Sequence, residues 1–167
     1  IVSVEDKRFY KHKGVDLSGM LRAVVTNAAG GSTQGASTLT QQYVKNVLIE
    51  AGLPASDPEA VAAAPAATPA RTLSAAQTAL TLEKRYTKAQ ILEGYLNIAA
   101  FGPSTYGIEA ASRHYFSHSA DSLSIGESAL LAGMTNWPTR YDPLTTPDAA
   151  KNRRDWVLQK MLEEKLL

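Results

Sequence analysis

Two carboxylates, an aromatic ring and an imidazole lie close together near the start of the sequence. In the stretch EDKRFYKHKG, Glu5, Phe9 and His12 are spaced i, i+4 and i+7, which predicts one face of a helix. A carboxylate beside aromatic surface resists ionisation, and this suits it to general acid or base chemistry near neutral pH. Spacing alone favours a structural interpretation instead, with an acidic pair at a helix N-terminus and Phe9 in the core.

A second group of polar residues could hold an anion. The glycine- and serine-rich stretch at residues 27–37 leads into a predicted helix, whose free N–H groups can bind an anion. Gln41 and Lys45 share a face of that helix, and the Lys45 ammonium is a point charge suited to a phosphate. Arg71 can bind phosphate oxygens in bidentate fashion. A loop of small residues with a cap and a solvated lysine explains the same pattern, and without other information it is favoured.

Composition indicates one ordinary globular domain of 167 residues, with 44% apolar residues, 20% charged residues and a formal net charge of +1. This charge gives no reason to expect nucleic-acid binding. The absence of cysteine excludes disulfides, and the three histidines form no compact zinc-ligand motif. The chain opens inside a helical pattern without a methionine, so we expect a domain cut from a longer protein.

The periodicity predicts a mainly α domain without a convincing strand. A first helix is expected over residues 3–13, followed by Gly14, and a mobile alanine- and proline-rich insertion over residues 51–70. Capping pairs predict the starts of three further helices, and a threonine cap before a proline predicts the last: Thr38 with Gln41, Thr87 with Gln90, Ser124 with Glu127, and Thr146 before Pro147.

Five stretches, in chain order, resemble four motifs of the family 51 peptidoglycan glycosyltransferases and the helix that follows the last of them. These are the transglycosylase domains of bifunctional penicillin-binding proteins and of monofunctional cell-wall polymerases. The first motif, E-D-x-x-F-x-x-H-x-G, is matched by EDKRFYKHKG, the second by GASTLTQQYVKN and the fourth by KAQILEGYLNIAAFG. The fifth motif and the helix after it resemble ESALLAGMTNWPTRYDP and NRRDWVL. The resemblance spans nearly the whole chain and implies a lysozyme-like helical fold.

The resemblance implies a reaction in which lipid-linked disaccharide-peptide units, lipid II, are joined into glycan strands with inversion at the donor sugar. Glu5 would remove the proton of the acceptor's 4-hydroxyl, and the leaving group would be undecaprenyl pyrophosphate. Positive charge must then meet the pyrophosphate, with Lys45 as the first choice and Arg71 as the second.

The other site residues that the resemblance implies have supporting roles. Asp6 and His12 would orient the first motif. The donor pocket would be shaped by Ser37, Thr38, Gln41 and Gln42. Some family members hold a divalent metal, Mg²⁺ or Mn²⁺, near the pyrophosphate, but this sequence contains no ligand set that requires one.

The third motif of the family, R-K-x-x-E, is degenerate here. Arg71 matches its arginine, but Thr72 and Ala75 stand where the lysine and the glutamate belong. Glu83 lies more than two helical turns further on and is no simple substitute. Because one lost electrostatic contact can cost about a hundredfold in rate, the resemblance implies a slow or specialised polymerase, or a variant altered at this motif.

Two alternatives stay open. A lytic muramidase also uses one glutamate on a lysozyme-like fold, but it needs no cation for a pyrophosphate, so Lys45 argues against it. A catalytically weakened scaffold that binds lipid II is favoured by Ala75.

The implied substrates carry long lipids, so we expect the site to open near the outer face of the cytoplasmic membrane. An apolar patch around residues 17–48 is expected to enter the bilayer. The expected partners are lipid II, the growing glycan strand, the membrane surface, a fused transpeptidase domain and cell-wall synthesis proteins.

Overall fold

The structure is a computed structural model that describes residues 1–21, 37–50 and 69–167, with the backbone alone at residue 50 and residues 69–74. It is mainly helical, which confirms the predicted fold class. Most of the predicted loop 27–37 and of the predicted insertion 51–70 lies outside the described residues. Residues 69 and 70 already belong to a helix, so the insertion ends earlier than expected.

Helices begin directly after Thr38, Thr87, Ser124 and Thr146, as the caps predict. A helix is described over residues 17–21. The others are α1 (Val2–Glu5), α2 (Leu39–Glu50), α3 (Pro69–Arg85), α4 (Lys88–Ile98), α5 (Ile108–Phe116), α6 (Ile125–Met134) and α7 (Pro147–Glu163), with a 3₁₀ turn at Ala120–Ser122. Within the described ranges, no helix is long and apolar enough to cross a bilayer.

The chain divides into two compact units. The first comprises Ile1–Lys7 and Leu96–Leu167, and the second comprises Arg8–Tyr95.

In the first unit, α6 packs along α7. Ala129, Ala132 and Val157 form the buried core between these helices, and Val4 and Met161 pack against it. The small side chains of Ala129 and Ala132 allow α6 and α7 to pack closely. The capping box at Ser124 and Glu127 starts α6 as predicted, because the Ser124 hydroxyl accepts from the Glu127 N–H and the Glu127 carboxylate accepts from the Ser124 N–H.

A short hairpin in the same unit was not predicted. Strand β1 (Ala100–Gly102) pairs antiparallel with β2 (Thr105–Tyr106). Strands of three and two residues are too short to show alternation in a sequence, which is why the pattern missed them. Thr146 is the N-cap residue of α7 as predicted, but its hydroxyl accepts no bond from a helix N–H. Its one proton is instead shared between the carbonyls of Arg140 at 2.7 Å and Asp142 at 3.0 Å.

In the second unit, α2 packs against α3, and the buried side chains include Leu39, Val44, Ala79, Ile91 and Tyr95. The Thr87–Gln90 box starts α4 as predicted, with the Thr87 N–H donating to Gln90 Oε1 at 2.9 Å.

The predicted helix over residues 3–13 is wrong. The helix ends at Glu5 because Asp6 adopts φ −154° and ψ 74°, outside the helical region. The chain then turns, and Phe9 and His12 are buried without the helical spacing that would place them on one face with Glu5. The helix propensity of a short segment is small, and here the burial of Phe9 and His12 outweighs it.

The backbone at Gly14 leaves no room for a side chain. It has φ +90°, and a Cβ at this position would lie 2.7 Å from the Ala79 carbonyl oxygen of α3. The Gly14 carbonyl accepts a hydrogen bond from the Thr38 hydroxyl at 2.6 Å. The glycine was predicted to follow a helix, but it serves a turn that brings the first motif against α3.

Replacing Gly14 by alanine is expected to lower the free energy of unfolding by about 2–5 kcal/mol, because the left-handed backbone costs about 1–2 and the collision with backbone about 1–3. Gly126→Ala is the matched control. Gly126 lies in α6 with no atom within 4 Å of an added Cβ, so that change should raise stability by about 0.5–1 kcal/mol. Urea denaturation measures both, and equal effects would contradict the reason given for Gly14.

His118 forms a pH-sensitive contact beside the α6 cap. Its Nδ1 faces the Ser119 carbonyl at 3.0 Å and its Nε2 faces Glu127 Oε1 at 3.2 Å. Because both partners are acceptors, both ring nitrogens donate, and these bonds, that to Ser119 foremost, raise the pKa of His118. The pKa of Glu127 is lowered, mainly by its bonds from Ser124.

The raised pKa of His118 fixes the sign of a pH effect. Its stabilisation is fully present below its ordinary pKa of 6.5 and is lost as pH rises through the higher folded value. We expect the loss of stability in His118→Gln to be larger at pH 5.5 than at pH 8.5 in urea titrations. At pH 5.5 Glu127 stays ionised, because its lowered pKa lies below 4.5. A stability loss in His118→Gln that is the same at both pH values, or larger at pH 8.5, would contradict the raised pKa of His118.

Candidate active site

Glu5 is the last residue of the short helix α1. Its N–H donates to the Ile1 carbonyl at 3.0 Å, and its side chain is half-buried. α1 packs against α7 within the first unit, and Lys7 forms an ion pair with Glu164 at 3.0 Å directly after it. The backbone that carries Glu5 is therefore fixed by the last helix of the chain.

Asp6 is 7% exposed and ends this helix. A buried carboxylate at the residue that breaks the helix suits a positioning role better than a reacting one. Its non-helical backbone turns the chain away from the axis of α1.

In the second unit, Thr38 and Gln41 form a reciprocal cap on α2. The Thr38 N–H donates to Gln41 Oε1 at 2.9 Å, and the Gln41 N–H donates to Thr38 Oγ1 at 3.2 Å. This confirms the predicted capping box. Both side chains are buried, at 2% and 6% exposure. The cap also joins two motifs, because the Thr38 hydroxyl donates to Gly14 of the first motif.

The rest of α2 carries the predicted donor-site residues. Gln42 Oε1 accepts a hydrogen bond from the Tyr95 hydroxyl of α4 at 3.2 Å. Lys45 is exposed one turn after Gln41, and Ser37 is exposed just before the cap. The backbone of Arg71 lies in α3, and its side chain falls outside the described part of the structure.

Sequence reasoning missed a polar network beneath the first two motifs. Lys88 Nζ lies 2.7 Å from Glu83 Oε1, 3.5 Å from His12 Nδ1 and 4.3 Å from the centre of the Phe9 ring. Glu83 Oε1 also accepts from the Thr40 hydroxyl at 2.5 Å. The signal in the sequence was the lysine that opens the fourth motif, five residues after a glutamate.

The same network explains why Glu83 is not a spare second carboxylate. Its oxygen is already bonded to Thr40 and Lys88, and its side chain is only 6% exposed. Ala75, at the third-motif glutamate position, lies two turns away in α3 and is half-buried. The described side chains therefore offer no simple replacement in α3 for the missing carboxylate.

The described residues contain no group of three histidine, aspartate or glutamate side chains that could hold a metal ion.

The predicted site residues fall into both compact units. Glu5 and Asp6 belong to the first unit. The second unit contains the others whose positions are described, namely His12, Ser37, Thr38, Gln41, Gln42 and Lys45. Within it, contacts join the cap residues to Gly14 and His12 to Lys88.

Comparisons with known proteins agree with the motifs. The transglycosylase family model matches residues 1–162. Penicillin-binding protein 1A of Neisseria lactamica is 38% identical over 168 residues, covering 100% of this chain and 19% of that protein. Penicillin-binding protein 1A of Mycobacterium tuberculosis (strain ATCC 25618 / H37Rv) is 37% identical over 173 residues, with the same coverage.

A crystal structure of penicillin-binding protein 1A from Haemophilus influenzae is 38% identical, covers 53% of this chain and 13% of that chain, and has a TM-score of 0.47. The chain spans about a fifth of the length of the curated relatives it matches. Because the family model covers nearly all of the sequence, the chain belongs to the transglycosylase family, which confirms the resemblance to the peptidoglycan glycosyltransferases drawn from its motifs.

Proposed function

We propose that this domain polymerises lipid II into glycan strands, with inversion at the donor sugar and release of undecaprenyl pyrophosphate. The observation that carries the proposal is the transglycosylase match over residues 1–162, which includes both Glu5 and Lys45. The growing strand is the donor, and lipid II is the acceptor.

Glu5 acts as the general base. Its carboxylate takes the proton of the acceptor's 4-hydroxyl while that oxygen forms a bond to the donor's anomeric carbon. The bond from this carbon to the pyrophosphate oxygen breaks, and the electron pair leaves with the pyrophosphate. A half-buried carboxylate on a fixed backbone supports this role, since a general base must be held within hydrogen-bond reach of its proton.

Lys45 meets the charge that develops on the departing pyrophosphate, and Arg71 is the second cation. Support comes from the exposed position of Lys45 on α2, a helix held by the Thr38–Gln41 cap and by the bond from Tyr95 to Gln42. A cation on a fixed element stabilises a transition state without reorganising, which makes such charge effective. Ser37, Thr38, Gln41 and Gln42 shape the donor pocket around it.

The domain acts at the outer face of the cytoplasmic membrane. Large apolar side chains are exposed in the described parts of the expected membrane patch around residues 17–48, with Leu17 75%, Leu21 68% and Val47 39% exposed. Single exposed apolar residues are ordinary, but several along one stretch favour insertion into an interface. We further propose a fused transpeptidase domain and cell-wall synthesis proteins as partners.

A second candidate function is a weakened scaffold that binds lipid II without efficient polymerisation. It is favoured by Thr72 and Ala75 at the third motif. A lytic muramidase is disfavoured because cleaving glycan requires no cation of the kind Lys45 provides.

Glu5→Gln is expected to reduce polymer formation by about 10²–10⁴-fold, the usual contribution of a general base. Labelled lipid II is incubated with each protein, and the products are separated by size. Glu163→Gln, an exposed change on α7, is the control and should give wild-type ladders. Equal ladders from wild type and Glu5→Gln would remove Glu5 from this role. In a parallel reaction supplied with finished glycan instead of lipid II, shortening of that glycan would indicate the muramidase.

Restoring the third motif with Thr72→Lys and Ala75→Glu is expected to raise the polymerisation rate about tenfold to hundredfold, because a cation and a second carboxylate return. The control pairs Thr72→Lys with Gln77→Glu, which adds a carboxylate at an exposed position two residues away. A flat rate in the restored protein would show that the third motif does not limit the domain.

A further inference from the structure

An ion pair in the Arg8–Tyr95 unit has no assigned role in the reaction. Lys88 Nζ and Glu83 Oε1 are 2.7 Å apart, and their side chains are 20% and 6% exposed. Taking two charges out of water is costly and is offset only by close geometry and further hydrogen bonds. The partners of both groups therefore show what the pair holds in place.

The Glu83 carboxylate fixes the first turn of α2. The oxygen that faces Lys88 also accepts from the Thr40 hydroxyl at 2.5 Å, and Thr40 is fully buried. Thr40 lies between the Thr38 cap and Gln41, so the bond acts on the turn from which Gln42 and Lys45 follow. A charge-assisted bond of this kind is about twice as strong as a neutral one.

The Lys88 ammonium holds His12. It lies 3.5 Å from His12 Nδ1 and 4.3 Å from the centre of the Phe9 ring. An ammonium has only donors, so Nδ1 of His12 must be the acceptor, and the ring proton must be on Nε2. The contact with the ammonium thus favours one tautomer of the imidazole.

We propose that Lys88 and Glu83 are a positioning pair for the transglycosylase reaction, in which Glu83 sets the α2 turn that leads to Lys45 and Lys88 sets the tautomer of His12. This inference rests on the proposed function. Neither residue touches the substrate in this scheme. Both act through Thr40 and His12, and the fixed charge pair couples the first motif to the second.

A positioning role and a purely structural role differ in a double replacement. Removing one partner leaves a buried charge unpaired, whereas removing both leaves a neutral, similarly sized pair that is often as stable. Glu83→Gln keeps an oxygen that can accept from Thr40, and Lys88→Met keeps most of the side-chain volume. The double variant should therefore fold normally while lacking the charge that sets the motif geometry.

The experiment measures the thermal midpoint, kcat and KM for lipid II in Glu83→Gln, Lys88→Met and the double variant of the whole chain. We expect each single change to lower Tm by about 6–20 °C. The double variant should regain most of this Tm but keep a kcat about a hundredfold below wild type, since small errors in positioning cost that much. Recovery of both Tm and kcat, or no loss in any variant, would overturn the proposal.

Lys160 and Glu163 provide the matched control. They form an ion pair of the same 2.7 Å length on α7, with both side chains more exposed. Lys160→Met with Glu163→Gln should leave kcat and the state of His12 unchanged. A fall in kcat comparable to that of the double variant would show that the effect is not specific to the pair beneath the motifs.

Nitrogen-15 NMR of His12 tests the proposal without any turnover. The wild-type spectrum should show Nδ1 without a proton and Nε2 with one, and Lys88→Met should shift this balance. A proton on Nδ1 in the wild type would overturn the proposal even if no variant folds. Absence of polymer from a wild type with the expected tautomer would instead count against the proposed function, so the two failures are distinguishable.

Discussion

The Thr38 hydroxyl is the contact on which the second compact unit most depends. It donates to the Gly14 carbonyl and accepts from the Gln41 N–H, so one oxygen starts α2 and ties it to the turn after His12. The turn itself requires a glycine, because its φ is +90° and α3 leaves no room for a side chain. The last residues of the first motif and the start of the second are thereby held together within this unit.

The proposed reaction requires few functional groups from the protein. In the proposed reaction the pyrophosphate is already a good leaving group, so the domain would need one base for the incoming hydroxyl and positive charge for the departing pyrophosphate. Glu5 is carried by a short helix packed on α7, and Lys45 by a capped helix that Glu83 and Tyr95 brace. In the same proposal, Thr72 and Ala75 at the third motif would remove some of the electrostatic support, and the remaining cations would carry more of the stabilisation.

Much of the secondary structure follows from local chemistry in the sequence. The three capping boxes, at Thr38, Thr87 and Ser124, could be predicted because each depends on a hydrogen-bond pair three residues apart. The first helix could not, because burial of Asp6 and Phe9 outweighs helical spacing. The hairpin before α5 is too short to leave a pattern.

Motifs in the sequence name candidate residues of the site, but they do not show which contacts those residues make in the fold. Glu5 and Lys45 are recognised from their motifs alone. The link between Glu83, Lys88 and His12 joins residues up to 76 positions apart, and only the folded chain brings them together. Sequence position alone made Glu83 a poor substitute for a missing glutamate, and the structure adds that its carboxylate is already in use.

The configuration of the new glycosidic bond tests the central claim most directly. The chain would be given lipid II labelled with carbon-13 at the anomeric carbon, and the product would be followed by NMR together with the released pyrophosphate. A single in-line attack by the hydroxyl that Glu5 deprotonates predicts a bond of opposite configuration to the donor's, with one undecaprenyl pyrophosphate released for each bond formed. Retained configuration, or pyrophosphate released without a new bond, would contradict it.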